Sequence, residues 1–136
     1  MTGSTLVVTG ANGFVGGHVV RLARAAGHRV WAIGREPAAS ADIEAGCDRY
    51  IAADLSEGWP IAEPVDAVIH LAGLAAVGPS FAEPQRYLST NSAIVTSMCE
   101  SLLASSPTAR VVVVSSGAVY APTDIPVTED DASVAS

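Results

Sequence analysis

A chain of 136 residues, 49% hydrophobic and 15% charged, can form one domain with an apolar core, and with aromatics at only 5% that core must be aliphatic. The net charge of −7 argues against nucleic acid or an anionic membrane surface as a partner. All seven basic residues are arginine, so any mechanism that needs a lysine lies outside what this chain can perform alone.

In chain order, Leu6-Val7-Val8 is a short apolar run that ends in Thr9-Gly10 and reads as a buried strand. A helix is expected from about Phe14. Val15, Val19, Leu22, Ala23 and Ala26 form its apolar face, and Gly27 is its natural stop. Val30 to Ile33 predicts a second strand, closed by Gly34-Arg35, and a weak helix follows over Ala38 to Ala45. Tyr50 to Ala53 predicts a third strand, ending in Asp54. Pro60 and Pro64 argue against a long helix in the next connection. Ala67 to Leu71 predicts a fourth strand before Ala72-Gly73. Pro84 can open the longest helix as its first residue, running to about Ala104 with Leu88, Asn91, Val95, Met98 and Leu102 on one face. Val111 to Val114 predicts a fifth strand, ending in Ser115-Ser116.

Continuous apolar strands separated by helices predict an α/β fold with a parallel sheet covered on both faces. Right-handed crossovers favour the Rossmann-type doubly wound order 3-2-1-4-5, incomplete on the C-terminal side. Cys47 and Cys99 lack metal-ligand spacing, so no metal site is expected and both read as packing residues in a reducing cytosol. The apolar run near the N-terminus is too short for a signal segment, and no run could span a bilayer. A cytoplasmic protein with no membrane partner is expected.

Thr9-Gly10-Ala11-Asn12-Gly13-Phe14-Val15-Gly16 lies between the first strand and the first helix. Gly10 permits a tight turn, Gly13 lets backbone approach a pyrophosphate, and Gly16 allows close helix–strand contact. N–H groups at the start of the helix, with its positive dipole end, would hold the phosphates. A lysine-dependent phosphate loop is excluded.

This spacing, GxxGxxG after a threonine, resembles the short-chain dehydrogenases/reductases. The resemblance continues through Asp54, His70-Leu71-Ala72-Gly73, the Ser80/Pro84/Tyr87/Asn91 spacing and Val114-Ser115-Ser116-Gly117-Ala118-Val119-Tyr120. It is to the extended members acting on nucleotide sugars, the NAD-dependent epimerase/dehydratase family. Phe81-Ala82-Glu83-Pro84 and Ser115-Ser116-Gly117 resemble GDP-4-keto-6-deoxymannose reductases in particular. Two positions depart from the family pattern. Ala121 follows Tyr120 where a glycine is usual, and Ile94-Val95 replaces a common Gly-Thr.

The resemblance implies cofactor contacts from Gly10, Asn12, Gly13, Phe14, Val15 and Gly16, and from Asp54 with Leu55. It implies further contacts from Leu71, Ala72 and Gly73, and from Asn91 and Val114. It also implies a nucleotide-sugar substrate and a homodimeric full-length protein. At the end of the second strand, NAD-binding members carry a carboxylate for the adenosine ribose. Here Gly34 holds that place and Arg35 follows, which removes repulsion against a 2′-phosphate and offers it a guanidinium. NADP is therefore favoured. Glu36 is close enough in sequence to serve the ribose of NAD instead.

Asn91 falls on an apolar helix face and must be hydrogen-bonded there, as a core amide or as a support for the active site. Ser116 stands four residues before Tyr120, where the family places its catalytic serine or threonine, and would hydrogen-bond the substrate oxygen. The family's acid–base pair is a tyrosine and lysine in YxxxK, the lysine lowering the tyrosine pKa. The fourth residue after Tyr120 is Asp124. Residues 1–136 are thus expected to be the cofactor-binding part of an oxidoreductase, epimerase or dehydratase, inactive alone, with the YxxxK segment and substrate domain beyond it. The alternative is a non-catalytic dinucleotide-binding module.

Overall fold

Thr5 to Thr9 is buried along its whole length, as the central strand of a sheet covered on both faces must be. The computed structural model of the chain describes residues 3–131. It has five parallel strands, β1 (Thr5–Thr9), β2 (Arg29–Gly34), β3 (Arg49–Ala52), β4 (Ala67–His70) and β5 (Arg110–Val113), in the order β3-β2-β1-β4-β5. The expected order is therefore the observed one. Helices α1 (Phe14–Ala25), α2 (Ala41–Gly46), α3 (Val77–Ala82) and α4 (Pro84–Ser105) make the connections.

Alternation along the strands divides the core in two. Val7, Ile33 and Val68 face Ile94, Met98 and Leu102 of α4, while Leu6, Val8, Val30 and Ala32 face Val20 and Ala23 of α1 and Ile43 of α2. The α1 stripe differs from the expected one. Gly16, Val20 and Ala23 are buried, whereas Val15 and Leu22 point to solvent. Two overlapping helical stripes exist in this small-residue helix, and Gly16, which counted as no apolar residue, selects the one that packs. On α4 the expected Met98 and Leu102 are buried and Val95 packs against the core, but Ile94 is buried as well and Leu88 is 68% exposed.

Gly27 ends α1 as expected. Its φ is 84°, its N–H donates to the Arg24 carbonyl at 3.0 Å, and His28 N–H donates to the Ala23 carbonyl at 3.1 Å. Together these bonds satisfy the last turn in a Schellman motif. Sequence periodicity missed α3, because this six-residue helix buries none of its side chains. Cys47 is half-buried and packs on the α1 side, but Cys99 is exposed, contrary to the expected packing role. Strand β5 lies at the sheet edge with all four residues exposed. Among the described residues, no helix is long and apolar enough to cross a membrane.

Candidate functional site

The register sets Thr9 level with Ile33 of β2 and with His70 of β4, so three strands stop together at one edge of the sheet. The chain order reverses between β1 and β4, and in such sheets the crevice beyond the strand ends is where ligands bind. Gly10 turns the chain there at φ 64°. A Cβ on Gly10 would stand 3.0 Å from the Ala72 nitrogen and from the Leu71 carbonyl carbon, so conformation and space both demand glycine.

Gly13 and Gly16 have other reasons. Gly13 has φ −73° and ψ 167°, which any residue adopts, and a Cβ there would meet only the Gly10 carbonyl at 3.1 Å. It lines the cleft, so a side chain would project into open space where a ligand would lie. A Cβ on Gly16 would run into the carbonyl oxygens of Ala11 and Gly10, so its bareness serves the packing of α1 on β1. The N–H groups of Phe14, Val15 and Gly16 open α1 and have no acceptor within the helix. They and the dipole form an anion site whatever the side chains do. The side chains stay out of it: Phe14 is exposed, with its ring edge-on to His18, and Val15 is exposed.

Thr9 and His70 lock the two central strand ends. Thr9 Oγ1 accepts the N–H groups of Leu71 and Ala72, each at 3.1 Å, and lies 2.9 Å from His70 Nδ1. With both lone pairs used, the hydroxyl proton must point to Nδ1, so the neutral ring carries its hydrogen on Nε2. Burial pushes the imidazole pKa down and keeps it neutral. His70 is thus a structural histidine that ties the two strand ends together.

The cleft measures about 250 Å³. It brings together Gly10, Asn12, Gly13, Arg35, Asp54, Leu55, Leu71, Ala72 and Gly73 of the expected contacts. Phe14, Val15, Gly16, Asn91, Val114 and Ser116 do not line it. Asn91 sits behind the wall and grips Leu74 at both ends: its Oδ1 accepts the Leu74 N–H at 2.8 Å and its Nδ2 donates to the Leu74 carbonyl at 3.0 Å. Val114 and Ser116 follow β5 on an exposed stretch, where Val114 N–H donates to the His70 carbonyl at 3.2 Å. Asp54 Oδ1 accepts the Ser56 hydroxyl at 2.6 Å and the Ser56 N–H at 2.9 Å, and these bonds hold its carboxyl below the usual range.

Sequence reasoning missed Ile33, Ala53 and Leu74, each adjacent to a position it named, and Thr90 and Ile94 on α4. The first three follow from where strands end. The α4 residues carry no local signal. Arg35 and Glu36 both line the cleft, and among the described residues Arg35 makes no hydrogen bond or ion pair. The Glu36 carboxylate is engaged by Asn12 Nδ2 at 3.0 Å. Its own backbone N–H, then Asn12, and more weakly the Arg35 charge hold its carboxyl below the usual range.

A sequence profile of the NAD dependent epimerase/dehydratase family matches residues 6–135. The chain belongs to this family. Two curated relatives carry the similarity further. GDP-6-deoxy-D-mannose reductase of Pseudomonas aeruginosa is 36% identical over 115 residues, covering 85% of this chain and 34% of the relative. UDP-glucose 4-epimerase of Neisseria meningitidis serogroup C is 34% identical, covering 92% of this chain and 40% of the relative. The chain therefore spans about a third to two-fifths of the curated relatives it matches.

Solved structures of the family superpose along almost all of the chain. UDP-N-acetylglucosamine 4-epimerase from Methanobrevibacter ruminantium, in complex with UDP-N-acetylmuramic acid, gives a TM-score of 0.78 at 27% identity, covering 98% of this chain and 45% of that one. MoeE5, in complex with UDP-glucuronic acid and NAD, gives 0.74 at 31% identity, covering 96% and 42%. The family assignment accounts for the glycine loop, the strand order and the position of the cleft together.

Proposed function

We propose that the cleft holds a nicotinamide dinucleotide, NADP in preference to NAD, for a reductase, epimerase or dehydratase acting on a nucleotide sugar. The observation that carries this reading is the conjunction at one sheet edge of the turned Gly10, the bare Gly13 and the N-terminus of α1. The cofactor's own chemistry is hydride transfer at its nicotinamide. The chain's residues bind and orient it. Gly13 and the first N–H groups of α1 hold the pyrophosphate, Asp54 and Leu55 border the adenine, and Leu71, Ala72 and Gly73 border the nicotinamide ribose. Asn91 keeps that last loop in place through Leu74.

Arg35 supports NADP: it lines the cleft beside the strand end, and its guanidinium makes no hydrogen bond or ion pair among the described residues. The relatives that bind UDP sugars support a nucleotide-sugar substrate. Ser116 is the residue proposed to donate a hydrogen bond to the substrate's reacting oxygen. Residues 1–136 are read as the cofactor-binding part of this enzyme, working in the cytoplasm, with the full-length protein a homodimer. The exposed apolar residues Val77, Phe81 and Leu88 suit such an association.

The alternative is a dinucleotide-binding module without catalysis, for which the cleft alone would suffice. The separating experiment is to assay the full-length protein with NADPH and nucleotide 4-keto sugars. Turnover lost in Ser116→Ala at unchanged cofactor affinity supports the enzyme. Cofactor binding without turnover on any such sugar supports the module.

A further inference from the structure

Strand β2 ends in a residue with no side chain, yet a carboxylate stands at its end. An ideal Cβ on Gly34 would lie 2.9 Å from Glu36 Oε2 and 2.5 Å from the Tyr50 hydroxyl. The first separation is shorter than a van der Waals contact, so any side chain at position 34 would compete with the Glu36 carboxylate for this space. Glu36 has thus folded back over the strand end, and its carboxylate stands against the place a side chain at position 34 would fill. Only glycine leaves room for that return.

The carboxylate is held there by groups distant in sequence. Tyr50, on β3, donates its hydroxyl to the Glu36 backbone carbonyl at 2.8 Å. The Tyr50 hydroxyl oxygen itself accepts Asn12 Nδ2 at 3.1 Å. Asn12 Nδ2 also donates to Glu36 Oε2 at 3.0 Å and to the Ala38 carbonyl at 3.2 Å, so two hydrogens serve three acceptors. Its Oδ1 accepts the Ser40 N–H at 3.0 Å. Burial, and then the Glu36 charge, push the Tyr50 phenol pKa up, which keeps its donor proton in place. Beside this clamp, the Arg35 guanidinium makes no hydrogen bond or ion pair among the described residues, and its charge acts on both Glu36 and Asp54.

We infer that Tyr50 is a positioning residue for cofactor choice: through Asn12 and the Glu36 backbone it holds the Glu36 carboxylate where the adenosine ribose is read. The inference rests on the reading that a nicotinamide dinucleotide fills the cleft. Glu36 accepts the ribose hydroxyl of NAD and repels the 2′-phosphate of NADP, while Arg35 attracts that phosphate. The cleft therefore carries two opposed readers, and only one of them depends on Tyr50. A tyrosine that merely packed would affect both cofactors alike.

The test is calorimetric titration of NAD and NADP, separately, into wild type, Glu36→Gln and Tyr50→Phe. Glu36→Gln is expected to raise the ratio of NADP to NAD affinity about tenfold, as a charged acceptor gives way to a neutral one. Tyr50→Phe is expected to move the ratio the same way, by about fivefold, mainly through weaker NAD binding. A ratio unchanged in Glu36→Gln, or unchanged in Tyr50→Phe while both affinities fall, overturns the inference. Should Tyr50→Phe fail to fold, Asn12→Ala breaks the other half of the clamp, and an unchanged ratio there overturns it equally. Wild type that binds neither dinucleotide overturns the underlying reading as well, which distinguishes the two failures.

Discussion

Gly13 and Gly16 lie three residues apart and are bare for opposite reasons, one facing a ligand's place and the other a neighbouring backbone. A methyl on Gly16 would press on the carbonyl oxygens of Gly10 and Ala11, neither of which is the mobile end of a side chain. Gly16→Ala is therefore expected to destabilise the fold by about 1–3 kcal/mol, the range for overpacking, read as a lower urea midpoint at constant slope. Arg35 makes the contrasting case. Its removal costs the fold nothing of note, since it makes no hydrogen bond or ion pair among the described residues. Arg35→Ala should weaken NADP by about 1.5–3 kcal/mol, roughly 10- to 150-fold, and leave NAD nearly unchanged. Equal losses for the two cofactors would contradict the 2′-phosphate role.

At the scale of elements, the Thr9–His70 bond fastens β1 to β4 and sets the loop that follows each. Burial lowers the native pKa of His70 below the unfolded value of about 6.5. The unfolded chain then takes up a proton before the native one does, so stability rises with pH across this window. It is fully present above about pH 6.5 and is lost as pH falls toward the depressed native value. His70→Asn offers Thr9 an amide that does not titrate. Urea midpoints of that variant should be flatter between about pH 6.5 and 5 than those of wild type. An unchanged slope would assign the effect to other groups.

The elements also mark what was legible. Strands β1 to β5 and the Gly27 stop could be read because apolar runs and glycine punctuation are local signals. The buried face of α1 was misread because Gly16 packs without being apolar, and α3 because it packs nothing. The glycine loop and Arg35 were named from strand ends and Asp54 from the family resemblance, and all of them line the cleft. Tyr50 was not: it reaches Asn12 across 38 positions, and only the fold brings them together.

For the whole molecule, binding and chemistry separate. The cleft is built from the C-terminal ends of β1 to β4, the loops that follow them, and α4, all present here. Proton delivery in this family relies, by resemblance, on a lysine beside a tyrosine, and the sequence has no lysine. A polypeptide of these 136 residues should bind the dinucleotide and show no turnover with NADPH and nucleotide 4-keto sugars. Turnover by that polypeptide, its mass verified, would require another acid among Ser116, Tyr120 and His70. The same polypeptide presents β5 as an apolar edge, with Val112 57% exposed and Val114 59%. Such edges pair with other copies, so its mass in solution should rise with concentration and do so less in Val112→Lys.

The bare Gly13, beside the first turn of α1, is the proposed seat of a dinucleotide's pyrophosphate. Gly13→Val tests it most directly, because φ −73° suits valine and a Cβ there meets only one carbonyl oxygen. Calorimetric titration of NADP into wild type and Gly13→Val, with circular dichroism on both, should show binding by wild type alone and the same fold in each. A folded Gly13→Val protein that binds NADP as wild type does would contradict the account and send the search for the cofactor site elsewhere.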